Sequence, residues 1–82
     1  MRNRRLTTRQ QQILRLAANG YNNKAIGHAL GIEPTTVQRH LYTVYRKLGA
    51  ADRANAVAIA LAIQELNLRS IKIPADHQGN AT

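Results

Sequence analysis

Residues 22–48 read NNKAIGHALGIEPTTVQRHLYTVYRKL, and this stretch decides the fold. Ile26 and Leu30 stand four apart, so they share one face of a short helix. Gly31 ends that helix, because the residue just past a helix terminus often takes the left-handed conformation, which glycine reaches without a Cβ clash. Ile32 follows as the apolar plug of a turn. Pro34 suits the first position of the next helix, where its missing N–H would be unpaired anyway. Gly27, one turn before the break, is small where a crossing helix would press on the first. These offsets are the signature of a helix-turn-helix. The plainer reading is a generic helical hairpin.

The second helix of the unit points to its use. At about 100° per residue, Val37, Leu41, Val44 and Leu48 fall on one apolar stripe. The opposite face carries Thr35, Arg39, Tyr42 and Arg46, with Gln38 and Thr43 on its shoulders. An ordinary surface helix mixes Glu with Lys, for i,i+4 pairs. Here no acid occurs between Glu33 and Asp52. After a helix-turn-helix break, such a face reads as a recognition helix for a DNA major groove; alone it would read as a solvated basic surface.

Composition sets the bounds. The 82 residues allow one small domain. No Cys is present, so neither disulfides nor a thiolate zinc site can support it. The core must come from packed helices, and a second copy of the chain can add to it. Twelve Lys and Arg against four Asp and Glu give a net charge of +8, which favours polyanionic partners. Met1-Arg-Asn-Arg-Arg resembles the start of a signal peptide, but no apolar run follows it. No stretch has the roughly 18 apolar residues of a membrane span. A cytoplasmic protein with no membrane partner is expected.

Taken in order, residues 1–5 form a basic arm whose Arg2, Arg4 and Arg5 suit phosphates or a minor groove. A first helix spans about residues 6–20. Thr7 and Gln10 make its capping box, Ile13, Leu14 and Ala17 its buried stripe, and Asn19-Gly20 its stop. Arg9 and Arg15 face solvent. Asn22 caps the next helix. Asn23 and Lys24, in its first turn, are candidate phosphate anchors, since backbone N–H groups at a helix N-terminus favour anions. His28 reads as a surface residue and His40 as a structural one. Asp52 caps a last helix that continues to about Leu68. Residues 56–63 are eight apolar residues in a row, too many for one core-facing stripe. Val57 and Leu61 are expected in the core. Ile59, Ile63 and Leu66 project elsewhere, among alanines small enough to admit a second backbone. A symmetric dimer through that face is expected; the alternative is a cover by the chain's own tail, through Ile71 and Ile73. After Pro74 the chain should be disordered.

The domain organisation expected is therefore an arm at 1–5, an all-α, four-helix domain at 6–68 and a tail at 69–82. The fold class is a four-helix bundle around a central helix-turn-helix.

Leu6-Thr7-x-Arg9, Gly20-x-Asn22-Asn23-Lys24-x-Ile26, Leu30-Gly31-Ile32, Thr36-Val37-x-x-His40, Lys47-Leu48-Gly49 and Arg53-Ala54-x-Ala56-Val57 occur in the order and spacing of a known family. By these motifs the chain resembles the LuxR/GerE-type helix-turn-helix family over about residues 6–62. The resemblance implies a DNA-binding domain of bacterial transcriptional regulators, with the third helix (about 34–48) in the major groove and the fourth pairing two copies. It places base reading on Gln38, Arg39 and Tyr42. It places phosphate contact on Thr36 and Lys47, and less firmly on Asn23 and Lys24; Thr35 and Arg46 join them from their positions on the helix. The chemistry suits these roles. Arg39 matches guanine O6 and N7, and Gln38 matches adenine N6 and N7, each discriminating by about 1–3 kcal/mol. Tyr42 offers a hydroxyl, and a ring for a thymine methyl.

The chain departs from the family pattern in four places. Gln10 and Ala25 stand where Glu is usual, Glu33 where Ser caps the recognition helix, and Gln38 where Lys is usual. Two lost acids raise the positive potential, and Gln38 swaps a cation for an amide at a reading position. The target sequence therefore cannot be carried over. Glu33 is expected to cap less well than Ser. Members of the family usually carry an N-terminal receiver or ligand-binding domain. Five residues precede the domain here, so the chain resembles the free-standing members, with a piece of a longer regulator as the alternative.

Three functions compete. The leading one is a dimeric, sequence-specific DNA-binding regulator of transcription. A second is an interaction module whose apolar last helix binds another regulator or RNA polymerase. A third is a nonspecific basic nucleic-acid binder, with steep salt dependence and little sequence preference. An enzyme is not expected, because the chain offers no carboxylate pair, no Cys, no glycine-rich phosphate loop and no His cluster with metal-ligand spacing. No cofactor or metal is expected.

Overall fold

Thr7 begins the first helix. Its Oγ1 accepts from the Gln10 N–H at 3.1 Å, and the Gln10 Oε1 accepts from the Thr7 N–H at 2.9 Å, the reciprocal capping box expected. In this computed structural model, which describes residues 5–67 and 69, four helices follow in order: α1 Thr8–Ala18, α2 Asn23–Leu30, α3 Pro34–Leu48 and α4 Arg53–Ala62. No strand occurs among the described residues. The fold class is the all-α, four-helix one expected. The arm before Arg5 and the tail beyond Arg69, with Ile71 and Ile73, lie outside the described residues.

Each helix is stopped in the same way. A residue in the left-handed region reverses the chain, and the next amide returns to a carbonyl of the last turn. After α1 the Tyr21 N–H donates to Leu16 O at 3.1 Å; after α2 the Ile32 N–H donates to Gly27 O at 2.9 Å; after α3 the Ala50 N–H donates to Tyr45 O at 2.8 Å. Glycine serves at the first three reversals, but Gln64 serves after α4, at φ 64°.

The turn between α2 and α3 depends on Gly27 in a second way. A Cβ built there would stand 2.5 Å from the Ile32 carbonyl oxygen and 3.3 Å from Pro34 N. The backbone of the turn and the start of α3, rather than a crossing side chain, make the close approach. That proximity holds the turn and the start of α3 close against α2. The N-cap of α3 is weaker than the others. Asn22 and Asp52 accept from Ala25 N–H and Asn55 N–H, both at 2.8 Å, whereas Glu33 makes no side-chain cap bond. The expectation that Glu33 still caps is not met. Glu33 is exposed, and Glu is not among the short side chains that cap a helix best.

The core is built from Ile13, Leu14, Ile26, Val37, Val44 and Leu48, all fully buried, with Leu6, Leu41, Ala56, Ala60 and Leu66 around them. Burying one such large side chain is worth about 1.5–3 kcal/mol, so this stripe from α1, α2 and α3 dominates stability. Ile32 is half-buried against the cluster.

The last helix differs from expectation in three respects. It ends at Ala62 rather than near Leu68. Its fully buried positions are Ala56 and Ala60, while Val57 and Leu61 flank the core half-buried. Finally, the reversal at Gln64 turns the chain back on itself, with Glu65 N–H donating to Ala60 O at 2.7 Å and Leu66 N–H to the same oxygen at 3.1 Å. Leu66 is thereby only 5% exposed, inside the core. Leu66 therefore does not project for pairing, and Ile59 also packs against the core. Ile63 remains outside, 37% exposed. The outer face of α4 is instead a line of alanines, Ala54, Ala58 and Ala62, all exposed.

Glu65 fastens this reversal to the beginning of the domain. Its Oε1 accepts from the Leu6 N–H at 2.6 Å and from Gln11 Nε2 at 3.5 Å. Among the described residues, no helix is long and apolar enough to cross a membrane.

Candidate nucleic-acid interface

The outer face of α3 follows from its inner one. Val37, Leu41, Val44 and Leu48 are fixed in the core, so Thr35, Gln38, Arg39, Tyr42, Thr43 and Arg46 must face solvent, and all are exposed. Tyr42 is 60% exposed, an unusual setting for a large ring. The Arg46 guanidinium lies 5.8 Å from its centroid, within cation–π range. Arg46 and Tyr42 thus support each other at the surface while keeping their polar ends outward. Thr43 spends its hydroxyl on the Arg39 carbonyl, donating at 3.2 Å.

A groove of about 500 Å³ runs along this face, lined by Asn23, Thr35, Gln38, Arg39, Tyr42 and Arg53, among others. It brings together the three expected base readers and two of the expected phosphate contacts, Asn23 and Thr35. Lys24, the residue after Asn23 on α2, is exposed, and Thr36 is half-buried in the first turn of α3. Lys47 belongs to a different place. Its Nζ donates to the Gln10 Oε1 at 2.9 Å and to the Arg5 carbonyl at 3.1 Å, so it ties the end of α3 to the start of α1.

Two parts of this arrangement escaped the sequence reading. One is Arg53, whose Nη1–H donates to the Tyr21 carbonyl at 2.7 Å and whose Nη2–H donates to the Asn23 Oδ1 at 2.8 Å. The available signal was its place in the first turn of α4, where the helix dipole disfavours a cation and some compensating partner is implied. The other is Gln10, 7% exposed, whose single carbonyl oxygen serves both the α1 cap and Lys47.

A helix-turn-helix whose second helix presents an acid-free, basic and amide-bearing face defines a class of nucleic-acid-binding domain. Comparison with known proteins narrows that class. The chain matches the family described as "Bacterial regulatory proteins, luxR family" over residues 4–60, and it belongs to that family. It is 43% identical over 58 residues to the probable transcriptional regulatory protein SgaR of Hyphomicrobium methylovorum, covering 71% of this chain and 28% of SgaR. It is 38% identical over 61 residues to the HTH-type transcriptional regulator MalT of Vibrio cholerae, covering 74% of this chain and 7% of MalT. With the transcriptional activator protein BjaR1 of Bradyrhizobium diazoefficiens it shares 40% identity over 63 residues, covering 77% of this chain and 26% of BjaR1. The match thus spans little more than a quarter of these relatives at most. The solved structure of the transcription factor GerE superposes with a TM-score of 0.73 at 35% identity, covering 77% of this chain and 94% of that one. Membership makes this a DNA-binding domain of transcription regulation and not a member of an enzyme family.

Proposed function

We propose that the protein regulates transcription by binding a specific DNA duplex as a dimer, with α3 in the major groove. The observation that carries this reading is the exposed α3 face, where Gln38, Arg39 and Tyr42 stand together without an acid among them. Arg39 and Gln38 have the donors that major-groove edges of guanine and adenine accept. Thr35, Arg46 and Lys24 surround them as phosphate contacts, with Thr36 and Lys47 at the margins. These contacts fix the register of the helix without reading sequence. Pairing uses the exposed face of α4, where Ala58 and Ala62 let a second backbone approach and Ile63 supplies apolar area. The working compartment is the bacterial cytoplasm.

The test is selection of bound duplexes from a random pool at near-physiological salt. An enriched motif with two-fold symmetry and half-sites about one helical turn apart, or a multiple of it, is expected. Retention without any enriched motif would replace this reading with charge-driven binding. Absence of retention would shift attention to α4 as a protein-docking helix.

A further inference from the structure

We propose that Arg53 is a positioning residue for DNA binding: it sets the polarity of the Asn23 side chain at the start of α2, so that its amide donor faces the phosphate backbone. The proposal rests on the DNA-binding reading above and adds to it a residue on α4, outside the helix-turn-helix itself. Local physics does not explain Arg53. It opens α4, where the positive end of the helix dipole disfavours a guanidinium. Its partners are 30 and 32 residues away in sequence, at the α1–α2 turn, and both accept at 2.7–2.8 Å.

The chemistry of the pair leaves one arrangement. A guanidinium has donors only, so Asn23 must offer it the carbonyl end, Oδ1. The Nδ2 end is then turned from Arg53 and left to donate elsewhere, and Asn23 lines the groove together with Arg39, Tyr42 and Arg53. A phosphate oxygen is an acceptor only. Asn23 thus meets it with a donor, whereas the flipped amide would meet it with a carbonyl. Because the planar fork of Arg53 also holds the Tyr21 carbonyl, the turn and the amide are fixed together. A lysine has a single point charge and cannot reproduce that two-point hold. Two of the five Arg53 donors are engaged, one with Tyr21 and one with Asn23, so Arg53 acts through Asn23, and the salt dependence of binding separates that role from a direct contact with DNA.

The experiment is a double-mutant cycle read by fluorescence anisotropy on the duplex recovered from the selection. Arg53→Lys and Asn23→Ala should each weaken binding about tenfold. The double variant should lose no more than the weaker single, because both remove the same oriented donor. Arg53→Met should lower affinity without changing the slope of log K against log salt. A slope shallower by about 0.9 would make Arg53 a direct phosphate contact and overturn the proposal. Additive losses in the cycle, or unchanged binding by Arg53→Lys, would overturn it too. Asn23→Asp covers the case in which the Arg53 variants unfold. It keeps an acceptor for Arg53, and so the fold by thermal melting, but removes the donor; binding should fall more than tenfold, and unchanged binding would overturn the proposal. If the wild-type protein binds no duplex, the DNA-binding reading falls first, an outcome distinct from binding with an additive cycle.

Discussion

The Lys47 ammonium lies 2.9 Å from the Gln10 side-chain oxygen, joining the last turn of α3 to the first turn of α1. The contact is charged on one side only. A Glu at position 10 would neutralise Lys47, whereas Gln10 holds it and leaves its charge in the field of the domain. Lys47→Ala should therefore act twice. Loss of a half-buried hydrogen bond to a charged group should cost about 1.5 kcal/mol, a fall in Tm of several degrees in a domain this small. All DNA sequences should be bound more weakly, with a salt slope shallower by about one unit. Equal salt slopes for variant and wild type would confine Lys47 to the structural part.

Arg39→Ala should relax preference at one base position and cost about 1–3 kcal/mol on the selected duplex. Arg39 is exposed, and its carbonyl already receives the Thr43 hydroxyl, so the helix itself should be unharmed. Competition between duplexes that differ at single positions measures this. An unaltered preference would remove Arg39 from base reading.

Ala58→Asp should abolish pairing while leaving the monomer folded. Ala58 is exposed in the middle of α4, so the new carboxylate costs the monomer little, but two copies would face each other across a two-fold axis. Sedimentation of both proteins at matched concentration decides it. A variant that still sediments as a dimer would place the interface elsewhere.

Gly27→Ala should destabilise the domain by about 1–3 kcal/mol, the usual range for forced overpacking. The atom opposing the new methyl is the Ile32 carbonyl oxygen at 2.5 Å, which is backbone and can move only if the turn opens. Urea unfolding gives the number. The variant should also read DNA less well, because the backbone pressed on Gly27 leads directly into α3.

Gln64→Gly should stabilise the domain by up to about 1 kcal/mol, since a side chain at φ 64° pays the left-handed penalty that glycine escapes. A fall in Tm would mean that the Gln64 side chain makes a contribution larger than its strain.

The parts of the fold that were legible in the sequence are those decided locally. Thr7 with Gln10, Asn22 with Ala25, and Gly31 with Ile32 and Pro34 lie within a few residues of one another, and their chemistry specifies caps and stops wherever the rest of the chain goes. The exposed face of α3 was legible for the same reason, because helical periodicity converts Val37, Leu41, Val44 and Leu48 into a direction. What escaped was decided at a distance. Gln64 is not a residue type that announces a left-handed reversal. The burial of Leu66 depends on Glu65 meeting Leu6, 59 residues earlier. In the site, Asn23 was legible as a residue near a helix N-terminus, but its orientation depends on Arg53, and nothing within the α2 segment reveals that partner.

The bond between Glu65 and the Leu6 amide brings the entry and the exit of the domain to one place. A chain that enters and leaves at one spot can be spliced into a longer one as a cassette, because neighbouring polypeptide need not thread past the bundle. The doorway lies at the junction of α1 with the α4 reversal, while the groove faces outward from α3. A unit closed on itself in this way can be carried by chains of different length, and the match covers 28% of SgaR, 26% of BjaR1 and 7% of MalT.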